Sequence, residues 1–592
     1  MIFADCIASS HIVIFLTVKG NLFFLISTLL LSLGSLGMEL GFPGSRLAGL
    51  AWYLDFLILA LLIWEVGRDM RREGSLTKYL RHHPLNLSFV VLYFVLFLYM
   101  KGLDAAAFQF RIAGLSRGIV IFRNAFMILK VFSRIKKLSS FFEGITTQPA
   151  QTILLSFLMI ILSGALILML PFMTVREGGL HFLDALFTST SAVCVTGLIV
   201  VDTATYFTLW GQLVILVLIQ IGGLSIMAIS YFTLFSINQK VTVQDKLLLS
   251  YMLNERNISQ LSGKLRIIIL STFSIEGIGA LLLLLPFHQS TGSWSESVLL
   301  SVFHSVSAFC NAGFSLFTTS LEGFAAHPAV NMIIALLIIA GGISFAVMSD
   351  VFRIFRMKIR GLLKQGRGFR ESISLNTYVV AGITPILIIS GMLLFYGFEH
   401  TGTLAELPLG RQYMAAFFQS VTMRTAGFNT LPIGSLSTAT LLMMLPFMFI
   451  GAASGSTAGG IKINNLAVLY SYAKSVLLNR EMIIIRQNSL SRSQVNKAFL
   501  VFAFGILSVS LGTLVLSASE QADLADIMFE VVSAFGTVGL STGITSSLSA
   551  LGRIILILLM FVGRLGPLTI LAAASQPEKR VQVSYPRGDV ML

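Results

Sequence analysis

Cys194-Val195-Thr196-Gly197-Leu198, Cys310-Asn311-Ala312-Gly313-Phe314, Arg424-Thr425-Ala426-Gly427-Phe428 and Gly536-Thr537-Val538-Gly539-Leu540 are four versions of one pattern. Each ends in a glycine and a large apolar residue, and each follows a short amphipathic run rich in Phe, Ser and Thr. The glycines fall 116, 114 and 112 residues apart, so the pattern is an internal repeat rather than an accident of composition. Each copy lies between apolar runs long enough to cross a bilayer, which predicts a hairpin whose tip dips back into the membrane. Non-helical backbone survives at that depth only when buried in protein or lining water, and four tips around one axis meet both conditions. Glycine takes φ > 0 without steric cost, so neighbouring carbonyls can all face the axis and replace the hydration shell of a monovalent cation. Glycine notches between ordinary transmembrane helices are the bland alternative, and they give no reason for a recurring spacing.

Ion ligands are therefore expected at Val195, Thr196, Gly197, Asn311, Ala312, Gly313, Thr425, Ala426, Gly427, Thr537, Val538 and Gly539. Thr537-Val538-Gly539 spells the first three letters of the potassium-channel filter. On these residues the chain resembles the ion-translocating subunit of the Trk/Ktr/HKT superfamily of potassium transporters, over roughly residues 145–575. The resemblance implies potassium as the transported ion, no organic cofactor in this chain, a homodimer, and a cytosolic ring of nucleotide-binding regulatory subunits. In plant relatives of that superfamily serine replaces the first glycine of sodium-selective members. Here all four positions are glycine, which by resemblance favours potassium.

Composition excludes most other classes. Hydrophobic residues make up 55% of the 592 and charged residues 11%, beyond what a soluble domain tolerates. The net charge of +14 sits in loops between apolar runs, where membrane topology accounts for it, and no nucleic-acid module is needed. Cys194 and Cys310 occupy one slot in two repeats and read as wall residues, since no second Cys or His lies at ligand spacing. Met1–Ser10 lacks the basic start of a cleaved signal peptide, so the first apolar run is expected to be retained. Phosphate-loop and dinucleotide glycine patterns are absent, so nucleotide control would come from a partner.

The expected fold is an all-α polytopic membrane protein with four tandem helix, pore-helix, filter, helix repeats around a pseudo-four-fold pore. Residues 1–147 hold about four apolar runs; repeats follow at 148–263, 264–373, 374–493 and 494–576, then a tail at 577–592. Arg123, Lys130, Arg134 and Lys137 share one helical face, either a voltage-sensor-like helix or an amphipathic helix on anionic headgroups. Basic residues cluster between repeats (Lys240 to Arg266, Arg353 to Arg370, Lys474 to Lys497) and in the tail at Lys579 and Arg580. By the positive-inside rule these segments are cytoplasmic and the pore helices enter from outside a cell membrane, their negative C-terminal ends towards the ion.

Gly451-Ala452-Ala453-Ser454-Gly455-Ser456-Thr457-Ala458-Gly459-Gly460 interrupts the third inner segment with small residues, and glycine costs about 1 kcal/mol each relative to alanine in a helix. It resembles the family's intramembrane gating loop, with Gly451, Ser454, Gly455, Ser456, Thr457, Gly459 and Gly460 as gate residues; a small-residue helix contact is the alternative. Arg564, inside the last span, matches the arginine that faces the family's pore near that loop; an arginine reaching the cytoplasmic headgroups is the alternative. Lys462 either acts similarly or is a membrane-edge lysine. Asp184, Asp526 and Glu530 are either mouth carboxylates or helix caps. Arg424 is expected behind the filter, pairing with a carboxylate such as Glu530, and His304 to be a hydrogen-bonded packing residue.

No catalytic constellation appears, and parallel repeats differ from the inverted ones of many secondary transporters. A sodium- or proton-coupled symporter, or a sodium-permeable transporter of the same fold, is the alternative that flux assays separate. Gly197→Ser is expected to lower the preference for potassium over sodium in liposome flux; unchanged selectivity contradicts the filter assignment.

Overall fold

The computed structural model describes residues 46–73, 149–175, 179–224, 261–351 and 373–574, with a few single positions besides. Helix Arg46–Glu73 covers the second N-terminal apolar run. The basic face at Arg123, Lys130, Arg134 and Lys137, the loop residues Lys240, Lys246 and Arg256, and the tail at Lys579 and Arg580 lie outside the described residues.

From Pro149 onward one succession recurs four times among the described residues: an outer helix, a short helix, a glycine turn and an inner helix. Pro149–Leu168, Phe182–Val193 and Leu209–Leu224 form the first unit. Leu261–Thr291, Trp294–Cys310 and Pro328–Gly342 form the second. Leu375–Glu399, Leu409–Thr422 and Thr438–Phe449 form the third. Arg492–Ser519, Leu524–Gly536 and Ala550–Leu565 form the fourth. Each short helix packs on its own outer helix, and each inner helix packs on the short helix of the next unit, the fourth closing on the first.

The reason for this packing can be read in small side chains. Gly164, Gly279 and Gly391 on three outer helices leave room for Ser189, Ser305 and Ser420 on the short helices. Those hydroxyls donate to the carbonyls of Ile161, Glu276 and Ile388 at 2.7, 2.6 and 2.6 Å, so the helices meet closely with the polar group satisfied. In the fourth unit Gly512 faces Val531 instead. Phe187, Phe303, Phe418 and Phe529, one on each short helix, are all fully buried. The outer helices turn exposed Leu281, Ile386 and Leu514 outward, an apolar face that a bilayer covers.

Three described helices are long and apolar enough by themselves to cross a membrane: Ile267–Thr291, Leu375–Glu399 and Arg492–Ser519. The sequence predicts a break only in the third inner segment, yet two others bend. The second turns by 104° between Gly342 and Phe345, and the fourth by 94° between Leu565 and Pro567. Adjacent glycines at 341 and 342 weaken the first of these sites. At the other, Gly566 takes φ 81° and Pro567 has no N–H to continue the ladder.

Side chains far apart in sequence close the ring of units. Asp184, in the first turn of the first short helix, pairs with Arg553 on the fourth inner helix. The carboxylate of Glu520, after the fourth outer helix, accepts the N–H of Ser549 at 3.1 Å and its hydroxyl at 2.5 Å, where that inner helix begins. Partial burial pushes the Glu520 carboxyl up, but these Ser549 donors, Ser519 and the Arg553 charge outweigh it and hold it below the ordinary carboxylate range. Its stabilisation is therefore present above the ordinary pKa of glutamate and is lost as pH falls through the depressed one. Glu520→Gln should lower the thermal midpoint most near neutral pH, and the gap should close below about pH 4. A gap independent of pH contradicts the charge-based cap.

Candidate ion path

The four turns share a backbone conformation that composition does not announce. Gly197, Gly313, Gly427 and Gly539 have φ of 94°, 69°, 79° and 91°. Two residues before each, Val195, Asn311, Thr425 and Thr537 are also left-handed, at 57°, 59°, 73° and 50°. The residue between each pair is not. Left-handed geometry costs a non-glycine residue about 1–2 kcal/mol, and alternation of handedness turns successive carbonyls to one side of the chain. Strain repeated in one register in four places is the kind that a structure holds for use.

The short helices hold these turns in place. Thr196, Ala312 and Val538 donate their N–H groups to the carbonyls of Ser191, Ser307 and Ser533 at 2.8, 2.7 and 2.8 Å, and Ala426 donates to Thr422 at 2.9 Å. The Ser191 and Ser533 hydroxyls accept the glycine N–H groups of 197 and 539 at 3.0 and 3.1 Å. In the other two turns the hydroxyls of Ser307 and Thr422 donate to the Phe314 and Phe428 carbonyls at 2.8 and 2.6 Å. Leu198, Phe314, Phe428 and Leu540 are buried behind them.

The glycines also touch one another in order. A Cβ added to Gly197 would lie 3.0 Å from the Gly313 Cα; one added to Gly313 would lie 2.9 Å from the Gly427 Cα. At Gly427 it would lie 3.2 Å from the Gly539 Cα, and at Gly539 3.0 Å from the Gly197 Cα. Four backbones thus meet around a centre with no space for a side chain. The hydroxyls of Thr196, Thr425 and Thr537 are buried there without a partner among the described residues.

The small-residue segment folds back against the turns. Gly451 donates its N–H to the Ile461 carbonyl at 2.9 Å and Ile461 donates to Phe449 at 3.2 Å, pinching the loop at its neck. A Cβ on Gly459 would lie 2.8 Å from the Thr537 Cγ2, and one on Gly460 3.3 Å from the Gly536 Cα. The Thr457 hydroxyl bonds the carbonyls of Phe309 and Gly341 at 3.2 and 3.0 Å. Gly455 accepts from Phe345 at 3.1 Å, and Ala453 and Thr457 donate to Gly342 and Gly341. The Ser454 N–H reaches Asn464 at 3.1 Å, which bonds Asn376 in turn. Arg564 donates to the carbonyls of Thr457 and Gly222, joining the fourth inner helix to the loop and the first inner helix. Lys462 donates to the carbonyls of Ala458 and Gly459, so its ammonium turns into the loop.

The other side chains singled out, Glu530, Arg424, His304 and Glu276, are all buried. Glu530 is fully buried and accepts from Ser541 and Thr545, so it does not sit open in the mouth. It does not pair with Arg424, which is buried and bonded to no carboxylate among the described residues. His304 bonds the Leu300 carbonyl at 2.8 Å and the Ser315 hydroxyl at 2.9 Å, within an aromatic cluster. Glu276 accepts from Gln220 at 3.2 Å and from the free thiol of Cys310 at 3.7 Å, partners that sequence spacing does not disclose. Beyond the turns, Asn429 donates to Glu322 at 2.7 Å and links the second and third units; burial pushes that carboxyl up, with the amide offsetting part.

Comparison with known proteins accords with this geometry. Residues 119–582 match the family model TrkH, described as cation transport protein. The Ktr system potassium uptake protein B of Bacillus subtilis is 38% identical over 444 residues, covering 75% of this chain and 96% of that one. Its counterpart in Vibrio alginolyticus is 37% identical over 443 residues, with 74% and 94% covered. The potassium/sodium uptake protein NtpJ of Enterococcus hirae is 35% identical over 455 residues, with 75% and 97% covered. The crystal structure of the potassium transporter TrkH from Vibrio parahaemolyticus matches with a TM-score of 0.56 at 19% identity, over 72% of this chain and 84% of that one, a likeness of fold. The chain belongs to the Trk/Ktr family of cation transport proteins, which are transporters rather than enzymes.

Proposed function

We propose that the chain takes up potassium through a pore on the axis encircled by the four glycine turns. The observation that carries this reading is the mutual contact of Gly197, Gly313, Gly427 and Gly539, combined with left-handed residues in one register of all four turns. Carbonyls of Val195, Thr196, Asn311, Ala312, Thr425, Ala426, Thr537 and Val538 then supply the oxygens that water supplies in solution. The fourfold succession of helices is the pore architecture, and the short helices are its pore helices, presenting their negative ends to the cation. Potassium is supported by glycine in all four turns and by the names of the Bacillus and Vibrio relatives.

Gly451–Gly460 is the gate in this reading. It lies against Thr537 and the end of the second short helix, and Arg564 and Lys462 hold it by its carbonyls while placing positive charge on the cation path. The bends after Gly342 and Leu565 give the inner helices hinges next to it. Repeats at 148–263, 264–373, 374–493 and 494–576 carry the pore, with 1–147 a separate membrane region and 577–592 a tail. The inter-repeat segments face the cytoplasm, where their basic residues meet a ring of nucleotide-binding regulatory subunits, and two chains pair as a homodimer. The supports are the positive-inside charge bias and the family membership.

Removal of residues 455–459 tests the gate. Potassium uptake into liposomes should rise and should no longer depend on a regulatory subunit. Uptake unchanged or still regulator-dependent, in a protein that remains folded by gel filtration, means that the loop is not the barrier.

A further inference from the structure

The third turn carries a charge for which the transport reading has no use. Arg424 immediately precedes the left-handed Thr425, is 7% exposed, and its Nε is buried without a partner among the described residues. The buried carboxylates among the described residues are committed elsewhere: Glu276 to Gln220 and Cys310, Glu399 to Ser437 and Thr440, Glu530 to Ser541 and Thr545. Asp184 is held by Arg553. An isolated buried charge is expensive, and removal of its counter-charge is more so. The C-terminal end of its own short helix offers about half a unit of negative charge, which offsets only part.

Arg424 lines a small cavity together with Thr384. The remaining wall is Ile338, Ile339, Val421, Gly342 and Ala452, around a partly open cavity of about 10 Å³. That space admits one particle of water or halide size. A neutral water leaves the guanidinium charge uncompensated. Thr384, half-buried on the outer helix of the third unit, brings a hydroxyl to the same cavity as a second donor.

We propose that this cavity binds a single halide-class anion between the Arg424 guanidinium and the Thr384 hydroxyl. Its walls join two moving parts of the proposed gate: Gly342 marks the bend of the second inner helix, and Ala452 belongs to the loop. An anion seated there holds both in the arrangement described and neutralises a positive charge beside the third turn. The effect on transport rests on the potassium-pore reading; the binding does not.

Two measurements on the full chain test this. Crystals equilibrated in sodium bromide should give anomalous density at the bromine edge in contact with Arg424, lost in Arg424→Gln; absence of a peak in the unmodified protein overturns the site. In liposomes, replacement of chloride by gluconate, too large for the cavity, should lower potassium uptake about threefold, and Thr384→Val should raise the half-effective chloride concentration about threefold. Thr384→Val keeps the buried cation, so the test stands if Arg424→Gln does not fold. Equal uptake in the two anions, with a bromide peak present, overturns the coupling to transport; a chloride response unchanged in Thr384→Val overturns the assigned ligands.

Discussion

The contact of each glycine turn with the next is the constraint to which the rest of the chain conforms. Four backbones meet within a Cβ's width, each in a geometry that Val195, Thr425 and Thr537 resist by about 1–2 kcal/mol and Asn311 tolerates better. Such a centre cannot hold itself. It is held by short helices whose last-turn hydroxyls and carbonyls bond the turns, and these helices are fixed by outer helices through glycine and serine contacts. The inner helices then lock each unit to its successor.

The loop at 451–460 belongs to the same system rather than to a separate device. Its partners are backbone carbonyls of the second unit and side chains of the fourth, so motion of either inner helix reaches it. Both of those inner helices bend beside it. A loop made of small residues has little of its own to bury, and its position depends on these external bonds. That is the energetic character expected of a segment with two nearby arrangements.

Much of this was legible because glycine is the cheapest residue at φ > 0 and so marks its own positions. The expectation of repeated units and turns comes from spacing, and that of the small-residue loop from its composition. The left-handed residue two before each glycine was not legible, because Val, Asn and Thr share no chemistry that announces it. Nor was the tie between Asp184 and Arg553, two surface-looking charges in different units. The buried phenylalanines were a signal available in the sequence: they stand ten residues before the glycine in three units and nine in the third. That missing residue displaces Arg424 to a slot held by Phe or Cys in the second unit, and a guess at its partner from sequence had no register to rest on.

The central claim is that four turns hold one dehydrated cation, and rubidium reports on it directly. Crystals of the full chain in rubidium chloride should show anomalous density on the axis between Val195–Gly197, Asn311–Gly313, Thr425–Gly427 and Thr537–Gly539. Rubidium bound elsewhere with that centre empty, or the four glycines found apart from one another, would contradict the account.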